Sequence, residues 1–246
     1  MRIAVELVLR NKNQFIEELK SVKDNFGSVD TINIPDLFRY PLRSWQGSQI
    51  AKDYFTQVIP HIRAVDIDTD KPFIFKNPLI QSKITEVLVI AGDCSPESSK
   101  SPCKQDTLSV IKKFKQDLPG IKVYAGFDQY RTSLKEEYEY AKQKLESGAE
   151  GFFTQPFFDM QLLEQTAQFL KGQPVFFGVS PVVNQRTKDY WQTKNKVAFT
   201  DDFCADLDWN RRFAERAVQF VKANNFHIYF MPIRLELKEY LTGIIS

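Results

Sequence analysis

A carboxylate inside an apolar segment is the feature of this sequence with the clearest chemical meaning. Glu6 lies in the β-type run of residues 3–8, between Val5 and Leu7. Burying a carboxyl group there costs several kcal/mol unless the group is paired, protonated or faces a cavity. Strand alternation turns Glu6 to the face opposite Val5 and Leu7. A carboxyl group with a raised pKa can donate a proton near neutral pH, so Glu6 is the first candidate catalytic residue.

Other polar side chains stand at or near the ends of later β-type segments. Each of them, taken singly, is equally compatible with a capping or ion-pairing role at the surface. If the strands are parallel, however, their carboxyl ends face the same side and bring these groups together. The set comprises Asp36, His61, Asp66, Asp93, Tyr124, Asp128, Gln155, Ser180, Asn184 and Arg234.

Alternating strand and helix patterns must position these groups. After residues 3–8, β-type segments are predicted at 31–34, 62–67, 86–92, 122–127, 151–155, 174–179 and 227–233. Helical spacing is predicted at 14–25, 49–58, 108–116, 133–147, 160–171, 209–224 and 235–244, whereas residues 69–84 contain two prolines and form a poor helix.

Eight strand units of about thirty residues each are typical of an α/β fold, a single (β/α)8 TIM barrel. No linker divides the chain, so we predict one domain over residues 1–246. A doubly wound open sheet is the main alternative, because periodicity does not show closure. An aldolase-type barrel would need a Schiff-base lysine within a strand, and the only strand lysine is Lys122, at the wrong end.

Composition narrows the function classes. Lys and Arg number 33 and Asp and Glu 31, for a net charge of +2 without a long run of either sign. This balance predicts neither a nucleic-acid nor a membrane partner. No segment has the length of a membrane span or the plan of a signal peptide, so we expect a cytoplasmic protein. Three cysteines without a CxxC pair and two histidines predict no metal site and no disulfide framework.

Six segments, in this order along the chain, resemble motifs of the methylenetetrahydrofolate reductase catalytic barrel. They are VEL at 5–7, IPHIRAVD at 59–66, AGDCSP at 91–96, GAEGFFTQPFFD at 148–159, GVSPVVN at 178–184 and NFHIYFMPIR at 225–234. The resemblance implies reduction of 5,10-methylenetetrahydrofolate to 5-methyltetrahydrofolate by hydride transfer through FAD, with NADH or NADPH as a possible electron donor. A tetrahydrofolate derivative is then the partner, and a homo-oligomer or a partner subunit is possible.

The resemblance also implies roles for individual residues. Glu6 would be the general acid, and Asp93 would offset the positive charge of the iminium intermediate. Folate contacts would fall on Gln155, Trp191 and Arg234. Flavin contacts would fall on His61, Asp93, Tyr124, Glu137 and Lys144. We therefore expect Asp93, Tyr124 and Gln155 to line one cleft at the carboxyl ends of the strands.

Several positions depart from the family pattern or have a simpler interpretation. Ala91 and Asp128 replace an Arg and a His of the family, which removes positive charge from the place of a pyrophosphate. From spacing alone, Glu137 and Lys144 belong to a solvated helix face, and Trp191 is equally a packing aromatic. A folate- or pterin-binding barrel without redox turnover, serving as a methyl-group or regulatory binding module, is the alternative function.

Overall fold

Eight parallel strands close into a barrel in the computed structural model, which describes residues 1–92, 106–233 and 235–245. Each strand pairs with the next, and β8 returns to β1, where Ala4 lies opposite Tyr229. The closed ring confirms the TIM barrel and excludes the open sheet. The strands are β1 Ile3–Glu6, β2 Thr31–Ile34, β3 Gln57–Arg63, β4 Glu86–Ile90, β5 Lys122–Phe127, β6 Phe152–Phe157, β7 Val175–Val179 and β8 His227–Phe230.

Helices follow the strands and cover the outside of the barrel. Several begin at a side chain that accepts a backbone N–H of the first turn, as Asn11, Ser133 and Asp206 do. The helices are α1 Lys12–Asn25, α2 Ser44–Ala51, α3 Lys76–Gln81, α4 Thr107–Asp117, α5 Leu134–Glu146, α6 Met160–Phe169, α7 Gln185–Asn195, α8 Leu207–Ala223 and α9 Leu237–Leu241.

The predicted boundaries around the third strand were wrong. The helix expected over 49–58 is α2, which ends at Ala51, and the strand expected over 62–67 is β3, which begins at Gln57. Pro60, which precedes the predicted start of the strand, lies inside β3. It pairs with Ile34 at the end of β2, one residue before the first pair between β3 and β4, so its missing N–H costs little there. Residues 64–66 form a short 3-10 helix.

Large side chains fill the barrel interior below the carboxyl ends of the strands. The phenyl rings of Phe153 and Phe176 stack with centroids 4.2 Å apart. Tyr229 crosses over Gly178, where a Cβ atom would lie 2.7 Å from its ring, and its hydroxyl donates to the Thr154 carbonyl. The interior is therefore packed, and chemistry is left to the carboxyl end of the barrel, called the mouth below. Across the described residues, no helix has both the length and the apolar character needed to cross a membrane.

Candidate functional site

Three polar side chains from adjacent strands meet at the mouth. Glu6 ends β1, Asn33 lies opposite it in β2, and His61 belongs to β3. Asn33 Nδ2 donates a hydrogen bond to Glu6 Oε2 at 3.1 Å and lies 3.3 Å from His61 Nε2. Glu6 Oε2 and His61 Nε2 are 3.9 Å apart. If Asn33 donates to both neighbours, the imidazole proton resides on His61 Nδ1.

Burial moves the pKa values of the two titratable members in opposite directions. It raises the pKa of Glu6 to about 8, although the hydrogen bond from Asn33 works against this shift. It lowers the pKa of His61 to about 4. Between these values Glu6 is protonated and His61 is neutral, so the contact between them is not an ion pair. The mouth thus holds a carboxyl group able to donate a proton beside a neutral imidazole.

Asn33 was not among the candidates from sequence, although its surroundings are unusual. Its side chain is buried, and Oδ1 has no hydrogen-bond partner among the described residues. An unpaired buried acceptor costs about 1–3 kcal/mol, which an N–H of a ligand would recover. The signal was present in Thr31-Ile32-Asn33-Ile34, where two polar residues alternate with two apolar ones in a β-type run.

The rim beside His61 is fixed by an ion-pair network. Arg43 Nε donates to both carboxylate oxygens of Asp36, at 2.9 and 3.1 Å, and Arg43 Nη2 contacts Asp66 at 2.5 Å. The Ser44 hydroxyl donates to the His61 carbonyl, which holds the start of α2 against β3. The strand-end candidates Asp36 and Asp66 are thus engaged with Arg43, and their contacts hold the rim together.

Gln155 lies at the mouth on β6, of which it is the one partly exposed residue. The side-chain amide of Gln129 binds both the carbonyl and the N–H of the Gln155 backbone. Gln129 Nε2 donates to the Gln155 carbonyl at 2.8 Å, and the Gln155 N–H donates to Gln129 Oε1 at 3.2 Å. The backbone of Gln155 is therefore fixed while its own amide remains available. Its predicted role in folate binding stays a prediction.

Tyr124 does not line the mouth, so its expected placement was wrong. The ring is fully buried in the barrel interior, and its hydroxyl donates to Glu86 Oε1 at 3.2 Å. Arg2 binds both oxygens of Glu86, at 2.8 and 2.7 Å. Arg2 and Glu86 stand at the amino ends of their strands, so this network closes the opposite end of the barrel. The sequence shows that Tyr124 alternates inward, but not which end of the barrel its long side chain reaches.

Glu137 and Lys144 are buried between α5 and β5, which corrects the interpretation of a solvated face. Lys144 Nζ donates to the Gly126 carbonyl at 2.7 Å and to Glu137 Oε1 at 3.2 Å. The other oxygen of Glu137 pairs with Arg131, and the Asp128 N–H donates to Oε1 at 3.2 Å. Burial lowers the pKa of Lys144 to about 8. Both charges fix the end of β5 from inside the protein.

Trp191 packs within α7 against an aromatic cluster. Its ring meets that of Phe158 edge to face, with centroids 5.4 Å apart, and 3% of the residue is exposed. Val182, Val197 and Phe203 belong to the same buried cluster. Trp191 therefore has the surroundings of a packing aromatic. For its ring to stack on a ligand, the aromatic cluster would have to open.

The described residues do not fit the flavin contacts that the resemblance implies. His61 alone lies at the mouth, because Tyr124 points to the other end and Glu137 and Lys144 bind each other and the protein backbone. Two predicted site residues, Asp93 and Arg234, lie outside the described residues.

Comparison with known proteins places the fold but not the family. No protein-family model matches the chain, and no curated protein matches it in sequence. Among solved structures, an uncharacterized protein from Clostridium thermocellum that binds two copies of 5-methyl-5,6,7,8-tetrahydrofolic acid is similar, with a TM-score of 0.65 and 11% identity over 99% of this chain and 92% of that one.

The solved structures of a lyase and of a putative aldolase are also similar to this chain. A 2,3-dimethylmalate lyase of the PEP mutase/isocitrate lyase superfamily has a TM-score of 0.60 and 11% identity, over 95% of this chain and 76% of that one. A putative deoxyribose-phosphate aldolase from Coccidioides immitis has a TM-score of 0.50 and 11% identity, over 72% and 71%. At this identity the likenesses show the barrel fold alone. Membership of the methylenetetrahydrofolate reductase family stays a prediction.

Proposed function

We propose that this barrel binds a reduced folate at its mouth, with the pterin ring against Glu6, Asn33 and His61. The observation that carries the proposal is the buried Asn33 amide, which joins the other two groups and keeps one acceptor unpaired. A pterin edge presents N–H donors beside ring nitrogen and oxygen acceptors. A protonated carboxyl, an amide and a neutral imidazole can each donate and accept, so together they match such an edge.

The charge state of the site favours the same ligand. A tetrahydropterin ring is uncharged near neutral pH, and the pKa values of about 8 for Glu6 and about 4 for His61 leave both side chains uncharged there. Neither ligand nor protein then buries an unpaired charge on binding. The similar Clostridium thermocellum barrel, which binds 5-methyltetrahydrofolic acid, supports the proposal as a precedent for this ligand on this fold.

Binding without redox turnover accounts best for the described residues, because the implied flavin contacts do not assemble. The second candidate is reduction of 5,10-methylenetetrahydrofolate, which the raised pKa of Glu6 favours. In that reaction Glu6 would hold a proton near N10, the p-aminobenzoyl nitrogen that leaves the methylene carbon while the pterin N5 keeps it, and Asn33 would orient the Glu6 carboxyl group. Among the described residues at the predicted flavin positions, only His61 lies at the mouth, where a hydride donor would have to bind.

Calorimetric titration tests the binding proposal. 5-Methyltetrahydrofolate should bind saturably, and p-aminobenzoylglutamate, which lacks the pterin, should bind at least tenfold more weakly. Equal affinities, or no heat with either, would contradict the pterin site. For the second candidate, flavin bands in the absorbance spectrum of freshly purified protein, together with consumption of methylenetetrahydrofolate in the presence of NADH or NADPH, would favour the reductase over the binding module.

A further inference from the structure

We propose that Gln129 is a positioning residue for the ligand and acts through Gln155; this inference rests on the proposed folate site, with Gln155 as one of its contacts. Gln129 follows β5 and is buried, with 5% of the residue exposed. Gln129 Nε2 donates to the Gln155 carbonyl at 2.8 Å, and Gln129 Oε1 accepts the Gln155 N–H at 3.2 Å. Both polar ends of one buried amide are thus used on a single residue of the neighbouring strand.

The Gln129 amide continues the hydrogen bonding of the sheet where β5 has ended. β5 ends at Phe127, whose partner in β6 is Thr154, the residue before Gln155. At the next position of β6, a side-chain amide binds the backbone that a longer β5 would pair with. Because a glutamine side chain carries one carbonyl and one NH2 group, it can satisfy both the N–H and the C=O of Gln155.

The segment that Gln129 binds is a bulge in β6. The pairing of β6 with β7 shifts register between Phe153 and Pro156, so β6 has one residue more than its neighbour there. An extra residue reverses the alternation of a strand. Phe152 and Phe157, an odd number of residues apart, accordingly pack on the same side, in the core around the barrel. Bulges of this kind re-aim single side chains and are common beside functional sites.

Side chains also bind the two carbonyls that flank Gln155. The Tyr229 hydroxyl donates to the Thr154 carbonyl, and the Tyr130 hydroxyl donates to the Pro156 carbonyl at 2.9 Å. Three successive carbonyls of β6 thus accept hydrogen bonds from side chains. Within β6 only Gln155 is partly exposed, so the bulge presents this residue at the mouth. The direction in which the Gln155 amide meets a ligand therefore depends on the side chains that hold the bulge.

A double-mutant cycle between Gln129 and Gln155, with 5-methyltetrahydrofolate as the titrant, tests this inference. Gln129→Met keeps the length of the side chain but removes both hydrogen-bonding groups. We expect it to raise Kd roughly tenfold, the size of one lost hydrogen bond to the ligand. In a Gln155→Leu background the same substitution should leave Kd unchanged, because the amide that it misdirects is already absent. A purely structural role would raise Kd by the same factor in both backgrounds.

Asn210 offers a matched control, because its side chain binds a backbone in the same way. Asn210 Oδ1 accepts the Val182 N–H and Asn210 Nδ2 donates to the Val182 carbonyl, both at 2.9 Å. Asn210→Leu should lower the free energy of unfolding, as Gln129→Met does, but leave Kd at the parent value. If Gln129→Met does not fold, Tyr130→Phe takes its place in the cycle, since it removes only the hydroxyl that binds the Pro156 carbonyl. A roughly threefold rise in Kd is then expected, and only where Gln155 is present.

The outcomes separate the positioning role from the folate site. A parent-like Kd for Gln129→Met, or for Tyr130→Phe in its place, would overturn the positioning role while folate binding by the parent stands. Equal effects in both backgrounds, or an equal rise in Kd for Asn210→Leu, would overturn it as well. If Gln155→Leu binds like the parent, Gln155 is no ligand contact and the inference fails, although the pterin site remains. If the parent does not bind the ligand, the proposed function fails and this inference fails with it.

Discussion

Asn33 Nδ2 donates to Glu6 Oε2 at 3.1 Å and lies 3.3 Å from His61 Nε2, so one amide bridges two buried titratable groups. Burial raises the pKa of Glu6 and lowers that of His61, which reverses the usual order of a carboxylic acid and an imidazole. A protonated acid thus stands next to a neutral base near neutral pH. This arrangement predicts how the stability of the protein depends on pH and how substitutions change its affinity for the ligand.

In the parent protein, ionisation of Glu6 should lower the free energy of unfolding at high pH, and replacing Glu6 by Gln should abolish this decrease. The pKa of Glu6 is raised from 4.5 to about 8 on folding, so the folded protein keeps a proton that the unfolded chain releases. The parent is therefore stabilised fully below about pH 4.5 and loses this contribution as pH rises through 8. Glu6→Gln has no such proton to lose, and its stability relative to the parent should rise by on the order of 4 kcal/mol between pH 4 and 9. Urea unfolding at both pH values checks this; parallel curves would mean that Glu6 is ionised in the folded state.

His61 should produce the opposite dependence at low pH. Its pKa is lowered from 6.5 to about 4, so between these pH values the unfolded chain binds a proton at His61 that the folded protein does not bind. The contribution is complete above about pH 6.5 and is lost as pH falls through 4. His61→Gln should flatten the stability curve between pH 6.5 and 4, by on the order of 3 kcal/mol. An unchanged slope in denaturant unfolding at pH 7 and pH 4 would show that His61 is charged in the folded protein.

Changing Gln155 to Leu should weaken folate binding without unfolding the protein. The backbone of Gln155 is held by Gln129, so its side-chain amide can be removed with the strand in place. Loss of a buried hydrogen bond to the ligand would cost about 1–3 kcal/mol, which is roughly a 5- to 150-fold rise in Kd. Gln143→Leu, on the exposed face of α5, is the control. An unchanged Kd for 5-methyltetrahydrofolate in Gln155→Leu would assign Gln155 a structural role.

The network at the amino end of the barrel should matter for stability alone. Glu86 accepts from Arg2 at 2.8 and 2.7 Å and from the Tyr124 hydroxyl at 3.2 Å. Glu86→Gln keeps the shape but weakens the half-buried ion pair, and should lower the free energy of unfolding by about 1–3 kcal/mol. Folate affinity, measured well below the melting temperature, should stay at the parent value. A large rise in Kd with unchanged stability would place Glu86 in a binding site.

Sequence patterns predicted the barrel and the inward Glu6, because strand alternation and strand-helix periodicity depend on local residue order. They did not predict where long side chains end. Tyr124 alternates inward as expected but reaches the amino end, since Arg2 and Glu86 supply its partners there. Glu137 and Lys144 are charged residues on a polar helix, and their burial depends on Arg131 and on the β5 backbone, contacts that no helical spacing reveals.

Asn33 was missed for a related reason. A lone amide in a short strand gains its meaning from Glu6, 27 residues earlier, and His61, 28 residues later, which only closure of the barrel brings within hydrogen-bond distance. The alternation of Thr31 and Asn33 with apolar neighbours indicates an inward polar face. It does not indicate which groups that face will meet.

The most direct test of the pterin site is one titration of 5-methyltetrahydrofolate into three proteins: the parent, Asn33→Leu and Glu86→Gln. Asn33→Leu removes the amide that joins Glu6 to His61, whereas Glu86→Gln alters a buried polar group at the far end of the same barrel. With folding verified by circular dichroism, we predict saturable binding to the parent, the same Kd for Glu86→Gln and a Kd at least tenfold higher for Asn33→Leu. Parent-like binding by Asn33→Leu, or no binding by the parent, would contradict a folate site at the mouth.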